Sequence, residues 1–135
     1  MRAVFVDTFY CIARIDPHDQ WHQRAKEASV SLAATPLLTT EAVLIELLNY
    51  FSAYGPEMRR AVAHIARRIL HDRRVEVLAQ PRESLLAGLV LFEARRDKGY
   101  SLTDCISMQA MRERGLIDVL THDHHFTQEG FVILL

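Results

Sequence analysis

Val4-Phe5-Val6-Asp7-Thr8 decides the fold, because it is a short apolar run that ends in an acid. Valine and phenylalanine suit a buried strand, and the run is too short for a buried helix. We predict a strand over residues 2–6 and a short helix over residues 7–14. Asp7 then lies at the carboxyl end of the first strand, where α/β sheets bind their ligands.

Further along the chain, predicted strands and helices alternate. Four more short apolar runs predict strands, at residues 37–39, 75–78, 117–120 and 131–134. We predict helices over about residues 17–34, 40–53, 57–71, 81–99 and 102–114, and a short helix or turn at 123–128. This alternation requires crossover connections. It predicts a three-layer α/β/α fold with a mainly parallel central sheet of about five strands.

Several residues mark the ends of these helices. Asp16 is a candidate N-cap with Pro17 in the first turn, Thr39 or Thr40 caps the next helix, and Gly115 suits a helix C-terminus. Without linkers or internal repeats, residues 1–135 form a single predicted domain.

Composition narrows the class of protein. Half of the 135 residues are hydrophobic and the net charge is −1, so binding of a polyanion needs a local basic patch. Two cysteines, Cys11 and Cys105, make no disulfide framework and are expected to be reduced core residues. The apolar start is too short for a signal peptide, and no apolar run approaches the roughly 18 residues of a membrane span. We expect a bacterial or archaeal cytoplasmic protein without a membrane segment.

Four acids stand where separate elements would meet. Asp7 and Asp123 follow two strands, Asp104 lies at a helix start in Ser101-Leu102-Thr103-Asp104, and Glu46 interrupts an apolar helix. Carboxylates that converge repel one another, and Mg²⁺ or Mn²⁺ relieves that repulsion. Glu41 lies about 140° around the helix from Glu46, so only one of them can face such a site, and we favour Glu46.

Each acid also has an ordinary structural explanation. Asp7, Asp104 and Asp123 all fit helix N-terminal positions, where a carboxylate accepts hydrogen bonds from backbone N–H groups. Glu46 fits the exposed side of a half-buried helix. These alternatives stay open for each residue singly, and it is the joint pattern that favours a shared site.

Four segments carry a resemblance to a known family. They are Val4-Phe5-Val6-Asp7-Thr8, residues 38–48 around Glu46, Ser101-Leu102-Thr103-Asp104-Cys105-Ile106-Ser107, and Leu120-Thr121-His122-Asp123-His124-His125-Phe126. In order and spacing they resemble the PIN domains, and among these the VapC-like toxins of toxin–antitoxin pairs. The last segment looks like the family's T-x-D-x-x-F signature. The similarity spans the whole chain.

The resemblance implies a ribonuclease that uses Mg²⁺ or Mn²⁺ and leaves 5′-phosphate and 3′-hydroxyl ends. It assigns catalytic and metal-binding roles to Asp7, Glu46, Asp104 and Asp123. It also implies a homodimer and a cognate antitoxin, with the apolar surplus of helices 42–54 and 57–70 as a candidate partner surface. The family often has a small polar residue where this chain has Phe9. Thr8 or Thr121 is then a candidate to supply the hydroxyl.

Two further groups are candidates for contact with substrate. His122 and His124 flank Asp123, so at least one of them should face the acids, although a zinc site built from His122, His124 and His125 fits tetrahedral spacing poorly. The segment 57–74 is rich in arginine, and Arg59 and Arg67 are candidates for phosphate contacts. A solvated helix face is the alternative explanation of these arginines, and the sequence favours it slightly.

Other functions stay open. A catalytically silent PIN-like module that binds RNA or a partner would share the fold, but all four acids are present. A phospho-acceptor receiver domain is more distant, because it needs paired acids after the first strand and a lysine near a late strand. The only lysines, Lys26 and Lys98, lie within or at the ends of predicted helices.

Overall fold

A five-stranded parallel sheet forms the centre of the protein, as a computed structural model of residues 2–135 describes it. The strands are β1 (Val4–Val6), β2 (Leu37–Thr40), β3 (Val75–Leu78), β4 (Asp118–Leu120) and β5 (Val132–Ile133). Their order is β3-β2-β1-β4-β5, and every neighbouring pair is parallel. The predicted parallel sheet of about five strands is confirmed.

Seven helices connect and cover these strands. They are α1 (Thr8–Ile15), α2 (His22–Ser31), α3 (Glu41–Tyr50), α4 (Pro56–His71), α5 (Arg82–Ala94), α6 (Leu102–Arg114) and α7 (His124–Gln128). β1 is the topological switch point, because the chain builds the sheet outward from it in both directions. Ligands of such sheets bind beyond the strand ends at this point.

Alternate side chains of β1 enter the two halves of the core. Phe5 packs with Met108 and Met111 of α6, whereas Val4 and Val6 pack on the opposite side of the sheet with residues of α1, α3 and α4. Because successive side chains of a strand point to opposite faces, helices must cover both sides. This gives the three layers that the sequence predicted.

Helix boundaries agree with the predictions where a cap fixes them. The side chain of Thr40 accepts a hydrogen bond from the backbone N–H of Val43, and Gly115 ends α6 with φ +65°. The predicted start of α2 at Pro17 is wrong, since this helix begins at His22. Asp16 and Asp19 instead accept hydrogen bonds from backbone N–H groups two residues on, and these local turns compete with a helix. α5 also ends at Ala94, earlier than predicted.

Both cysteines are buried free thiols, as expected. Burial raises the pKa of Cys11 to about 12, which keeps this thiol protonated and unreactive. Within residues 2–135, no helix combines the length and apolar character needed to cross a membrane.

Candidate metal and nuclease site

The pairing of β1 with β4 brings the first and the last of the four acid-bearing segments together. Phe5 lies beside Val119 and Val6 beside Leu120, so the residues that follow these strands emerge at the same edge. The Thr121 hydroxyl donates a 2.8 Å hydrogen bond to Oδ2 of Asp7. Residues 114 positions apart in sequence therefore share one buried contact.

Asp7 is buried without serving as a helix cap. It occupies the N-cap position of α1 but makes no capping hydrogen bond with its side chain, and only 1% of the residue is exposed. Its Oδ1 atom has no hydrogen-bond partner among the described residues. Burial raises the pKa of Asp7 to about 7, and the negative charges of Asp104 and Glu46 add to this effect.

Asp104 combines a capping role with a place in the same pocket. Its backbone N–H donates to the Ser101 hydroxyl at 3.0 Å, and its Oδ2 accepts from the Ser101 N–H at 3.1 Å. This capping box fixes the start of α6. Burial raises the pKa of Asp104, and the charges of Asp123 and Glu46 raise it further. Capping and a shared acidic pocket are thus compatible.

Asp123 caps α7 and is tied to Asp7 through one hydroxyl. Its Oδ1 accepts from the His125 N–H at 2.9 Å, and its own backbone N–H donates to Thr121 Oγ1 at 3.1 Å. Because Thr121 accepts on one side, its single hydroxyl proton is free to point at Asp7. The threonine therefore holds both acids at fixed positions after β1 and β4.

Glu46 lies on α3, near enough for its charge to act on other acids. It is half-buried, and its charge acts on both Asp7 and Asp104. Glu41 lies elsewhere, since its exposed side chain accepts a 2.7 Å hydrogen bond from the backbone N–H of Gln80. The four acids thus come from four elements, and the charge of Glu46 acts on two of the other three.

His125 lies beside two of the acids, whereas the sequence suggested it only as part of a histidine cluster. Its Nδ1 lies 3.5 Å from Asp104 Oδ2 and 3.5 Å from Asp123 Oδ1, and its ring lies against Tyr100. The expectation concerned His122 and His124 instead. His124 is exposed, and His122 stacks on Trp21. The sequence did contain a signal for His125. If Asp123 is the N-cap of α7, His125 is the second residue of that helix, and the second residue lies beside the cap.

Thr8, Arg59 and Arg67 were the other predicted site residues. Thr8 is buried and its hydroxyl oxygen has no hydrogen-bond partner within residues 2–135. Arg59 and Arg67 are exposed on α4, and Arg59 donates to the Ser52 carbonyl at 2.8 Å. In the described part of the chain, no ion pair joins either arginine to the four acids. Their contact with RNA stays a prediction.

The donor set fits a divalent cation. One ligand atom each from Asp104, Asp123 and His125 lies within 4.8 Å of the other two, a separation compatible with one shared ion. The unpaired Oδ1 of buried Asp7 offers another oxygen. Carboxylate oxygens suit Mg²⁺ and Mn²⁺, and a buried, unpaired carboxylate is costly unless a cation or a proton neutralises it.

Comparison with known proteins establishes the fold. The crystal structure of Mycobacterium tuberculosis VapC20, described as a sarcin–ricin loop cleaving toxin, matches with a TM-score of 0.84 and 24% identity over 96% of this chain and 97% of that one. DNA-bound VapBC from Salmonella typhimurium matches with a TM-score of 0.67 and 20% identity, covering 98% and 97%. No family model and no curated protein sequence matches the chain. The protein has the PIN-like fold of the VapC structures.

Proposed function

We propose that this chain is a divalent-metal-dependent endoribonuclease that hydrolyses RNA phosphodiesters and acts as the toxin of a toxin–antitoxin pair. One observation supports the proposal: Asp104, Asp123 and His125 offer ligand atoms within 4.8 Å of one another at the switch point of the sheet, and the charges of Asp7, Glu46 and Asp104 act on one another there. Burial, together with their mutual repulsion, raises the pKa values of Asp7 and Asp104. A cation that binds between these carboxylates relieves their repulsion, so its binding is favourable.

In this mechanism Asp7, Glu46, Asp104 and Asp123 hold Mg²⁺ or Mn²⁺. The cation would neutralise charge on the phosphoryl oxygens and lower the pKa of water. Thr121 keeps Asp7 oriented through its 2.8 Å hydrogen bond. Because the pKa of Asp7 is about 7, this residue must lose a proton before its oxygens can serve as full ligands. Activity should therefore rise with pH around neutrality.

An antitoxin and a second copy of the chain are the proposed protein partners. VapBC from Salmonella typhimurium, which has the same fold, is a complex bound to DNA, and this supports a protein partner here. Tyr50 and Tyr54 stack on each other at the junction of α3 and α4, and about half of each is exposed. We assign this pair to the antitoxin, because exposed tyrosines commonly anchor protein partners.

A different face suits the homodimer. On α3 and α4 the exposed large apolar residues are Ile45, Tyr50 and Leu70, whereas α5 alone exposes five: Leu85, Leu86, Leu89, Val90 and Phe92. Along α5, Arg82, Leu86, Leu89 and Glu93 form one row at spacings of four, three and four residues. In an antiparallel pair of α5 helices, Leu86 would face Leu89 of the second copy and Arg82 would face its Glu93. This row is complementary to itself.

Cleavage of RNA with defined product ends tests the proposed reaction. Wild-type protein with Mn²⁺ should cleave a pool of structured and single-stranded RNA, leaving 5′-phosphate and 3′-hydroxyl ends. Asp7→Asn and Asp104→Asn should each reduce the rate by orders of magnitude, because amides hold hard cations poorly. Robust cleavage in excess EDTA with a cyclic phosphate product, lost in His125→Phe but kept in Asp104→Asn, would instead establish a metal-free histidine mechanism.

A further inference from the structure

An aromatic surface adjoins the acidic pocket and takes no part in the proposed hydrolysis. Phe9 lies two residues after Asp7 in the first turn of α1, and its ring centroid is 4.8 Å from that of His122. His122 directly precedes Asp123 and stacks on Trp21, with centroids 4.7 Å apart and planes within 9°. The rings of Phe9, His122 and Trp21 thus form a continuous layer. Phe9 lies two residues after Asp7, and His122 lies directly before Asp123.

Phe9 is the exposed member of this layer. It is 40% exposed, although a phenylalanine in the first turn of a helix could point into the core. His122 and Trp21 are partly covered and support it from behind. The position is also the one at which this chain departs from the small polar residue typical of the family it resembles.

A positive charge, that of Arg24, lies beside these rings and would attract the phosphates of a nucleic acid. The Arg24 guanidinium lies 5.1 Å from the centroid of the Trp21 ring, on the exposed side of α2. RNA is recognised mainly through unpaired bases that stack on aromatic or guanidinium planes, while arginine contacts the phosphates. A base is joined to its own phosphate through a single ribose. Phe9 follows Asp7 by two residues and contacts His122, which precedes Asp123, so the ring adjoins the segments that carry two of the acids.

We propose that Phe9, supported by His122 and Trp21, is a stacking platform for one unpaired RNA base next to the scissile phosphate. This inference rests on the proposed ribonuclease function and adds a substrate requirement to it. Phenylalanine has no hydrogen-bonding group, so the platform selects an accessible base rather than a particular sequence. Bases inside a duplex are already stacked on their neighbours and cannot occupy it.

Binding to matched RNA strands tests the platform. Wild-type protein with Ca²⁺ in place of Mn²⁺ is titrated with a fluorescent ten-nucleotide single strand of random sequence, and with an abasic ribose-phosphate strand of the same length. Phe9→Leu should weaken binding of the base-bearing strand by about fivefold to 100-fold and leave binding of the abasic strand unchanged. Phe9→Tyr should retain the affinity, because the ring remains.

Phe92→Leu is the matched control, since it makes the same change at an exposed phenylalanine of α5. It should alter binding of neither strand. Equal weakening of both strands by Phe9→Leu, or no weakening of either, would overturn the platform, and thermal melts verify that each variant is folded. The two proposals fail separately. If wild type cleaves RNA but Phe9→Leu does not discriminate between the strands, only the platform is wrong; if wild type neither binds nor cleaves any RNA, both are wrong.

Discussion

Asp7 and Thr121 meet across the β1–β4 pair, where the threonine hydroxyl donates to Oδ2 of the buried carboxylate at 2.8 Å. The same hydroxyl oxygen accepts from the backbone N–H of Asp123 at 3.1 Å. A single side chain thereby sets the separation of two acids that belong to distant parts of the sequence. This hydrogen bond also favours the ionised form of Asp7 and so opposes the effect of burial on its pKa.

Replacing Thr121 should damage both stability and the titration of Asp7. Thr121→Val keeps the shape but leaves Asp7 Oδ2 and the Asp123 N–H without their partner, which should cost about 1–3 kcal/mol of unfolding free energy. The pKa of Asp7 should rise further, moving the pH profile of metal binding upward. Urea unfolding and metal titration between pH 6 and 9 measure both effects. Thr127→Val on α7, at an exposed position, is the control and should change neither.

Metal should stabilise the folded protein. A ligand that binds only the native state adds RT ln(1 + [L]/Kd), about 2.7 kcal/mol at 100 times Kd. Wild type should therefore melt several degrees higher in millimolar Mn²⁺ than in EDTA, and Asp104→Asn should lose most of that shift. Glu113→Gln, at an exposed position near the end of α6, should keep it. An Asp104→Asn protein that shifts as much as wild type would contradict the shared site.

Without metal, stability should fall as the pH rises through the range set by Asp7. Its ordinary pKa is 3.8 and its folded value is about 7. Between these values the folded protein keeps a proton that the unfolded chain has lost, so stability is highest at low pH and decreases toward pH 7. The loss from this group is roughly 4 kcal/mol at most.

Asp7→Asn removes this titration and gives a direct test. In EDTA the variant should be more stable than wild type at pH 8, by about 1–4 kcal/mol, because the asparagine carries no buried charge. At pH 4 the two proteins should have similar stability. Denaturant unfolding at the two pH values measures the difference, and a wild type whose stability is constant from pH 4 to 8 would argue against a buried, neutral Asp7.

His125 should bias the site toward Mn²⁺. Imidazole nitrogen is a better ligand for Mn²⁺ than for Mg²⁺, which prefers oxygen. His125→Phe keeps a ring against Tyr100 and should weaken Mn²⁺ binding by about tenfold while changing Mg²⁺ binding little. Calorimetric titration with both ions makes the comparison, and His124→Phe is the exposed control. Equal losses for both ions would mean that His125 positions the acids rather than binding the ion.

The α5 dimer can be tested by exchanging charges. Arg82→Glu would place two acids opposite each other at both ends of the paired helices and should shift the protein toward monomer at micromolar concentration. Adding Glu93→Arg should restore the dimer, because the exchanged pair is again complementary. Sedimentation equilibrium measures the association, with Arg60→Glu on α4 as the control. A wild-type monomer, or a dimer that Arg82→Glu leaves intact, would exclude this interface.

The sequence predicts the strands and the acids because their signals are local. Val4-Phe5-Val6 is apolar enough to be a buried strand, and Gly115 adopts the left-handed conformation expected at a helix end. Pro17 misled the prediction of α2, because side-chain hydrogen bonds from Asp16 and Asp19 outcompete the first helical turn.

The arrangement around the acids depends on contacts between distant segments, which composition does not encode. His125 and not His124 lies at the pocket, since α7 is held against Tyr100 through the ring contact and through Glu129. The 3.5 Å approach of His125 to two carboxylates follows from this docking. Likewise, α5 and α6 approach closely at Gly88, and this leaves the opposite side of α5 exposed.

The order of the strands also governs when the pocket comes into being during synthesis. β1 leaves the ribosome before the other strands of the sheet, but its neighbour β4 follows more than a hundred residues later. Contacts of such long range form late and slow folding. Until residues 118–125 have emerged, Asp7 lacks Thr121, Asp123 and His125, and the cluster of acids is incomplete. The acidic pocket is thus not assembled until nearly all of residues 4–125 have been translated.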